Sequence, residues 1–256
     1  MDFSILNLIA TIIEFCAPSR DGGRGHPPAE IVRVVATLRQ FLREGTPWRS
    51  LRATASKVSG SISGSTLRRH LERWARIGLL PQIHAVLVGM LRGDPTLILD
   101  SCSARAKRGG DLTGPNPTDR AKQGTKYHVA VDGDGVPVAC LATAANVNDT
   151  LVFERLFLAA FAVMARIQTV FADKAYDAEH PRELCRQFGV EPRIHKRGQP
   201  HGSGLGTRRW PVERSNAWVL ENKRLTLRYD RRGFMIQSLL QAACIFLVAG
   251  RLAKQL

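Results

Sequence analysis

The pattern of apolar residues predicts an α/β fold, a mixed β-sheet flanked by helices, with an α-helical region ahead of it. Three observations carry this. Residues 28–93 place their apolar side chains at helical intervals and show little strand character. From residue 96, short apolar runs alternate with helical patterns in the order strand, hairpin, helix, strand, helix, strand, helix, helix, which implies a mixed sheet. Two of those runs end in an aspartate, Leu97-Ile98-Leu99-Asp100 and Val170-Phe171-Ala172-Asp173. If the runs are neighbouring strands, both carboxylates emerge at one edge of the sheet. The chain therefore divides into residues 1–27, an apolar helix and linker; 28–93, a helical region; and 94–256, the α/β region.

Taken in order, residues 3–16 are apolar, lack a leading Lys or Arg, contain Glu14 and are too short to span a bilayer, so they predict a packed helix. A polar break follows at 19–25. Val32, Val35, Leu38, Phe41 and Leu42 share one helix face, and Gly45-Thr46-Pro47 ends that helix. Serines and glycines at 59–64 form a second break, and Ser65 is the expected N-cap of a helix carrying Leu67, Leu71, Trp74 and Ile77. Its other face carries Arg68, Arg69, Arg73 and Arg76, as in the reading helix of a helix-turn-helix, and equally as on an ordinary solvated face. After the strand at 96–100, residues 126–131 and 136–143 form a hairpin around Gly133-Asp134-Gly135. Asn148 or Asp149 caps the next helix, through Val152, Leu156, Phe157 and Phe161. A strand at 167–171, a helix near 182–188, a strand at 192–195 and a glycine-rich loop at 198–206 follow. Helices beginning near Trp210 and Gly233 close the chain, and the apolar stretch 239–249 reads as buried.

Lys and Arg number 37 against 22 Asp and Glu, a formal charge of +15 with a pI near 10.5, which points to a polyanionic partner. The densest stretch, residues 192–232, holds eleven Lys or Arg against Glu213, Glu221 and Asp230. Cys16, Cys102, Cys140, Cys185 and Cys244 are widely spaced without a C-x-x-C pair, and the seven histidines show no ligand spacing. Reduced core thiols in a cytosol, and no zinc site, are the expectation.

Glu213, one turn into the helix from Trp210, can bring a third carboxylate to Asp100 and Asp173. Carboxylates gathered this closely repel unless cations lie between them, so such a cluster suits hard divalent ions. Two ions about 3.5–4 Å apart could activate a water and stabilise the leaving oxygen of a phosphodiester. An aspartate after a strand is also a common turn former or helix cap, so spacing alone leaves both readings open.

The surrounding residues favour the first. Ala172-Asp173-Lys174-Ala175-Tyr176-Asp177, Val212-Glu213-Arg214-Ser215-Asn216-Ala217-Trp218, Lys223-Arg224-Leu225 and Leu227-Arg228-Tyr229-Asp230-Arg231-Arg232 resemble the bacterial insertion-sequence DDE transposases, in the insertion-sequence-five branch. The hairpin segment Lys126-Tyr127-His128-Val129-Ala130-Val131-Asp132, Ala145-Asn146-Val147-Asn148-Asp149, and the upstream Gly45-Thr46-Pro47-Trp48-Arg49-Ser50-Leu51 with Arg73-Trp74 are similar too. The resemblance implies an RNase H-like catalytic fold with Asp100, Asp173 and Glu213 as catalytic and metal-binding triad. It implies two Mg²⁺ ions, with Mn²⁺ able to substitute, cutting at the element's ends and strand transfer into target DNA. The implied partners are double-stranded DNA, the terminal inverted repeats and the target, in a homodimer or larger synaptic assembly. The implied location is the bacterial cytoplasm, at the nucleoid, with no membrane partner. Arg209 fits the family's arginine ahead of the glutamate. Gly206 and Leu220 stand where relatives carry tyrosine and lysine, and Lys223 is the substitute on the same helix. The residues expected to contact DNA are Arg68, Arg69, Arg73, Lys174, Arg209, Arg214, Lys223, Arg224 and Arg228. A catalytically silent DNA-binding descendant is the alternative, and a stand-alone nuclease a third reading. Asp132 and Asp134 read as turn residues, Asp177 as exposed and polar, and Trp210 and Trp218 as core packing rather than base-stacking.

Overall fold

The computed structural model describes residues 3–17, 28–51, 62–198 and 205–255. The break at 19–25, half of that at 59–64 and most of the loop at 198–206 lie outside them. Four helices come first: α1 (Phe3–Cys16), α2 (Ile31–Glu44), α3 (Gly64–Arg76) and α4 (Leu79–Gly89). α1 buries Ile5, Ile9, Ala10 and Ile13 on one face, while α2 buries Val34, Val35, Leu38, Phe41 and Leu42. Gly45 ends α2 at φ 67°, donating its N–H to the Phe41 carbonyl, and a Cβ there would lie 2.9 Å from that of Lys223. Glycine is needed twice over, for the left-handed backbone and for the close approach. The N-cap of α3 is Ser63 rather than Ser65: its hydroxyl accepts from the Thr66 N–H at 3.3 Å, because the helix starts a residue before Ser65.

The sheet comprises β1 (Thr96–Arg105), β2 (Gly114–Pro115), β3 (Gln123–Asp132), β4 (Pro137–Ala144), β5 (Thr169–Ala172) and β6 (Glu191–Ile194). Its longer strands run β4-β3-β1-β5-β6, with β2 short beside β3. β4, β3 and β1 are antiparallel, whereas β5 and β6 run parallel to β1. This order and polarity is the RNase H-like arrangement. The helices are α5 (Thr150–Phe161), α6 (Glu179–Gln187), α7 (Leu205–Leu220), α8 (Lys223–Thr226) and α9 (Gly233–Gln255). β1 does not stop at Asp100 as the apolar pattern implied. β3 pairs with it from Leu97↔Asp132 to Arg105↔Gly124, so polar residues 101–103 stay in strand by ladder hydrogen bonding rather than by burial.

α9 is long and apolar enough to cross a membrane. Instead it lies in the core against α4 and β4, burying Leu239, Leu240, Cys244, Ile245 and Val248 among others. The same continuous core takes in α1, α2, α3 and the sheet. A polar seam crosses it: the Gln241 amide donates to His84 Nδ1 at 2.5 Å, and His84 Nε2 donates to the Pro137 carbonyl at 2.8 Å. Complete burial pushes the His84 pKa down to about 4, so the ring is neutral and bonded at both nitrogens. All five cysteines are free thiols, but only Cys185 and Cys244 are buried; Cys16 is exposed.

Candidate active site

Leu99 pairs with Ala172 across the parallel β1–β5 junction. The next residues along, Asp100 and Asp173, therefore stand side by side at the point where β5 ends and β1 continues. Asp173 caps the 3-10 turn Lys174–Tyr176, its Oδ1 accepting from the Ala175 N–H at 2.8 Å. α7 packs across β1, β3 and β5, and Arg209, Glu213 and Asn216 fall on one stripe of it, at i, i+4 and i+7. Arg209 Nη2 lies 3.3 Å from Asp100 Oδ1, and the Asn216 amide donates to Asp100 Oδ2 at 3.2 Å. Glu213 is exposed between them.

Burial pushes the Asp100 pKa up to about 6; Arg209 opposes the shift, and the carboxylates of Asp173 and Glu213 add to it. Asp100 thus feels both of the other carboxylates. The side chains do not enclose a common point: among the described residues no three His, Cys, Asp or Glu are grouped to hold a metal. Arg209 supplies the positive charge at Asp100. Several buried polar atoms nearby lack partners, among them Arg209 Nε, Asn216 Oδ1 and the Tyr176 hydroxyl.

A second polar group borders Asp173. Asn148 Oδ1 caps α5 by accepting from the Thr150 N–H at 3.1 Å, which leaves the Asp149 carboxylate for Lys126 Nζ at 3.4 Å and His128 Nδ1 at 3.2 Å. Burial raises the carboxyl of Asp149, but His128, Lys126 and Ser101 outweigh it and hold it below the usual range. Sequence reasoning offered Asn148 or Asp149 as the cap and gave Asn216 no role. Asn216 lies three residues after Glu213, so its position on the Arg209–Glu213 stripe was the signal available.

The family model described as the transposase DDE domain matches residues 91–247, a span containing all of these residues. A protein of Burkholderia cepacia assigned as transposase for insertion sequence element IS402 is 37% identical over 200 residues, covering 75% of this chain and 87% of the relative. The chain belongs to the DDE transposase family. Among solved structures, the catalytic core domain of BIV integrase is similar at 14% identity, covering 60% of this chain and 82% of that one, with a TM-score of 0.38. A piggyBac transposase synaptic complex with hairpin DNA is similar at 12% identity over 99% of this chain and 73% of that one, with a TM-score of 0.43.

Within this family member the nine basic residues expected at DNA separate into groups. Arg68, Arg69, Lys174 and Lys223 are exposed and Arg73 half-exposed, with Arg68 paired to Glu72 at 3.0 Å. Lys223 begins α8, after α7 has ended at Leu220, so it is not on Glu213's helix. Arg209 bonds to Asp100. Arg214 lies between Trp210 and Trp218, 4.2 and 4.8 Å from their centroids, and donates to the Asp134 carbonyl at 2.8 Å. Those tryptophans are not core, Trp210 being 50% exposed: they stack outside α7 on cationic planes. Arg224 and Arg228 are buried, at 3% exposure each, and bond internally, Arg228 through its Nη atoms while its Nε is without a partner. Arg224 pairs bidentately with Asp230, while Arg228 bonds to the β1–β3 connection. Asp132 is the turn residue expected, its Oδ1 accepting from the N–H groups of Asp134 and Val136. Asp177 is half-buried rather than free, pairing with Arg182 at 2.7 Å and accepting from the Arg197 N–H at 2.8 Å.

Proposed function

We propose that the chain cuts DNA at the ends of an insertion element and joins the freed 3′ ends to target DNA, with Asp100, Asp173 and Glu213 as its catalytic carboxylates. The observation that carries the reading is the Asp100–Asp173 pair on adjacent parallel strands, with Glu213 held over that edge by α7. The donor set fits a hard divalent cation: oxygen ligands only, and an Asp100 whose carboxyl is raised by burial and, in smaller part, by Asp173 and Glu213. Asp100, Asp173 and Glu213 would hold two Mg²⁺, or Mn²⁺ in their place. When bound, such ions supply Lewis-acid activation of the attacking oxygen and charge stabilisation at the leaving one.

The chain's own residues do the rest. Asn216 orients Asp100 from one side, and Arg209, beside Asp100, would reach a phosphate oxygen of DNA at this edge. Lys174, exposed next to Asp173 in sequence, and the exposed Lys223 add phosphate contacts. Arg68, Arg69 and Arg73 on α3 present a basic face to duplex DNA. Two ends must be cut and joined, so a homodimer or larger synaptic assembly works at the nucleoid.

A catalytically silent DNA-binding protein is the second reading, favoured by the Arg209 bridge that closes Asp100. Mn²⁺ binding followed by electron paramagnetic resonance separates the two. Wild type should bind Mn²⁺, and Asp100→Asn and Asp173→Asn should each lose it. A wild-type protein that binds no Mn²⁺, with or without DNA, would sink the catalytic reading.

A further inference from the structure

Asp173 also lines a cavity of about 800 Å³ whose other walls come from β1, β3, the β1–β3 connection, the β4–α5 turn and the segment that follows α8. Pockets of this size enclose single small molecules, and a DNA duplex is far too wide to enter. Its walls are built rather than incidental. The connection holds Leu112, Arg120 and Ala121 at φ 54°, 51° and 56°, a strained backbone that persists only where its surroundings over-determine it. Arg228 pins the connection by donating to the Gly109 carbonyl at 3.0 Å, to Thr113 Oγ1 at 2.6 Å and to the Asp111 carbonyl. Arg105 clamps it through Asp119 at 2.5 and 2.8 Å.

Of the cations lining the cavity, Arg105 is paired with Asp119 and Lys126 with Asp149. The exposed Lys107 remains, together with Arg228, a guanidinium 3% exposed whose Nε has no partner. Tyr229, 38% exposed, adds an aromatic ring with the Arg108 guanidinium 5.3 Å from its centroid. Cations beside a planar ring are the chemistry that holds a phosphate and stacks a base.

We infer that this cavity takes an unpaired nucleotide of the DNA strand passing Asp173, its phosphate near Lys107 and Arg228 and its base against Tyr229. The inference rests on the DNA-cutting reading above and goes further, since it requires the strand to leave the duplex beside the carboxylates.

The test is binding in EDTA, where no cutting occurs, with two fluorescein-labelled probes: a single-stranded dT 12-mer and a 30-base-pair duplex. Tyr229→Ala, and Thr118→Trp to fill the cavity, should each weaken the single strand about tenfold, in line with roughly 1–3 kcal/mol per stacked base. Tyr229→Phe should bind the single strand like wild type, and all three should hold the duplex within about twofold. Equal losses for both probes, or an undiminished single strand in Tyr229→Ala and Thr118→Trp, would overturn the inference. The two side chains lie on separate walls and are both exposed, so a folding defect in one leaves the other decisive. A wild-type protein that never cuts DNA overturns the transposase reading without altering this binding result. A protein that cuts while both variants bind like wild type sinks only the cavity.

Discussion

Replacing Arg224 by methionine asks whether this arginine holds the fold or the DNA. Its guanidinium donates to Asp230 twice, at 2.8 and 2.9 Å, and to the Thr46 carbonyl at 3.0 Å. It lies 4.4 Å from the Phe41 ring centroid, and Trp48 Nε1 donates to the same Asp230 at 2.8 Å. The pair's side chains are 2% and 6% exposed. Methionine keeps most of the volume but leaves Asp230 buried with Trp48 as its side-chain donor among the described residues. Breaking a buried pair from one side costs about 3–5 kcal/mol, a large share of a typical total of about 5–15 kcal/mol. At a urea slope of about 3 kcal/mol/M the unfolding midpoint should fall by about 1–1.7 M. Arg224→Met with Asp230→Leu should recover much of that loss, since no unpaired charge is left behind. The salt dependence of DNA binding should not change in Arg224→Met, whereas Lys223→Ala, at an exposed cation, should lower the slope by about 1. A midpoint loss below about 0.3 M, or less than about 1 kcal/mol, combined with a reduced salt slope, would show that Arg224 faces phosphate.

Three further outcomes follow from the geometry. His84 titrates near 4 when folded against about 6.5 unfolded, so its stabilising contribution is full above about pH 6.5 and is lost as pH falls toward 4. The full span is worth roughly 3 kcal/mol. Because Asp100 and Asp132, raised to about 6, favour the folded state as pH falls from about 6 to 4, the check compares wild type with His84→Gln; parallel stability curves would refute it. Gly64→Ala would bring a Cβ within 2.2 Å of the Trp48 carbonyl and should cost at least about 2 kcal/mol. Gly89→Ala, with nothing within 4 Å, should be neutral or stabilising by up to about 1 kcal/mol; equal melting temperatures for the two variants would contradict the packing described. Asn216→Ala should leave DNA binding intact while turnover falls about tenfold or more, since Asp100 loses an orienting hydrogen bond. Unchanged single-turnover cutting would remove Asn216 from the site.

Much of this was legible in the chain, and the reasons are local. Leu97 to Leu99 and Val170 to Ala172 read as strands because their runs are short, apolar and followed by aspartate, and the parallel pairing then places both carboxylates together. Strand β1 beyond Asp100 was not legible, because Ser101, Cys102 and Ser103 carry no apolar alternation and are held by the ladder to β3. Arg224 looked like a DNA contact, and the structural bonds of Arg228 went unseen, because sequence shows charge but not the partner. Asp230 lies six residues after Arg224, while the carbonyls that receive Arg228 lie more than a hundred residues upstream. Trp210 and Trp218 looked like core for the same reason: the cation between them, Arg214, becomes a stacking partner only once α7 fixes their common face.

The most direct measurement is cutting and joining of DNA carrying the element's own ends, in Mg²⁺ and then in EDTA, with wild type beside Glu213→Gln. Joined product in Mg²⁺ only, abolished in Glu213→Gln while DNA binding persists, is the expected result. DNA binding without cutting in any metal, or joining that survives the loss of Glu213, would contradict the assignment of Asp100, Asp173 and Glu213 as the catalytic carboxylates.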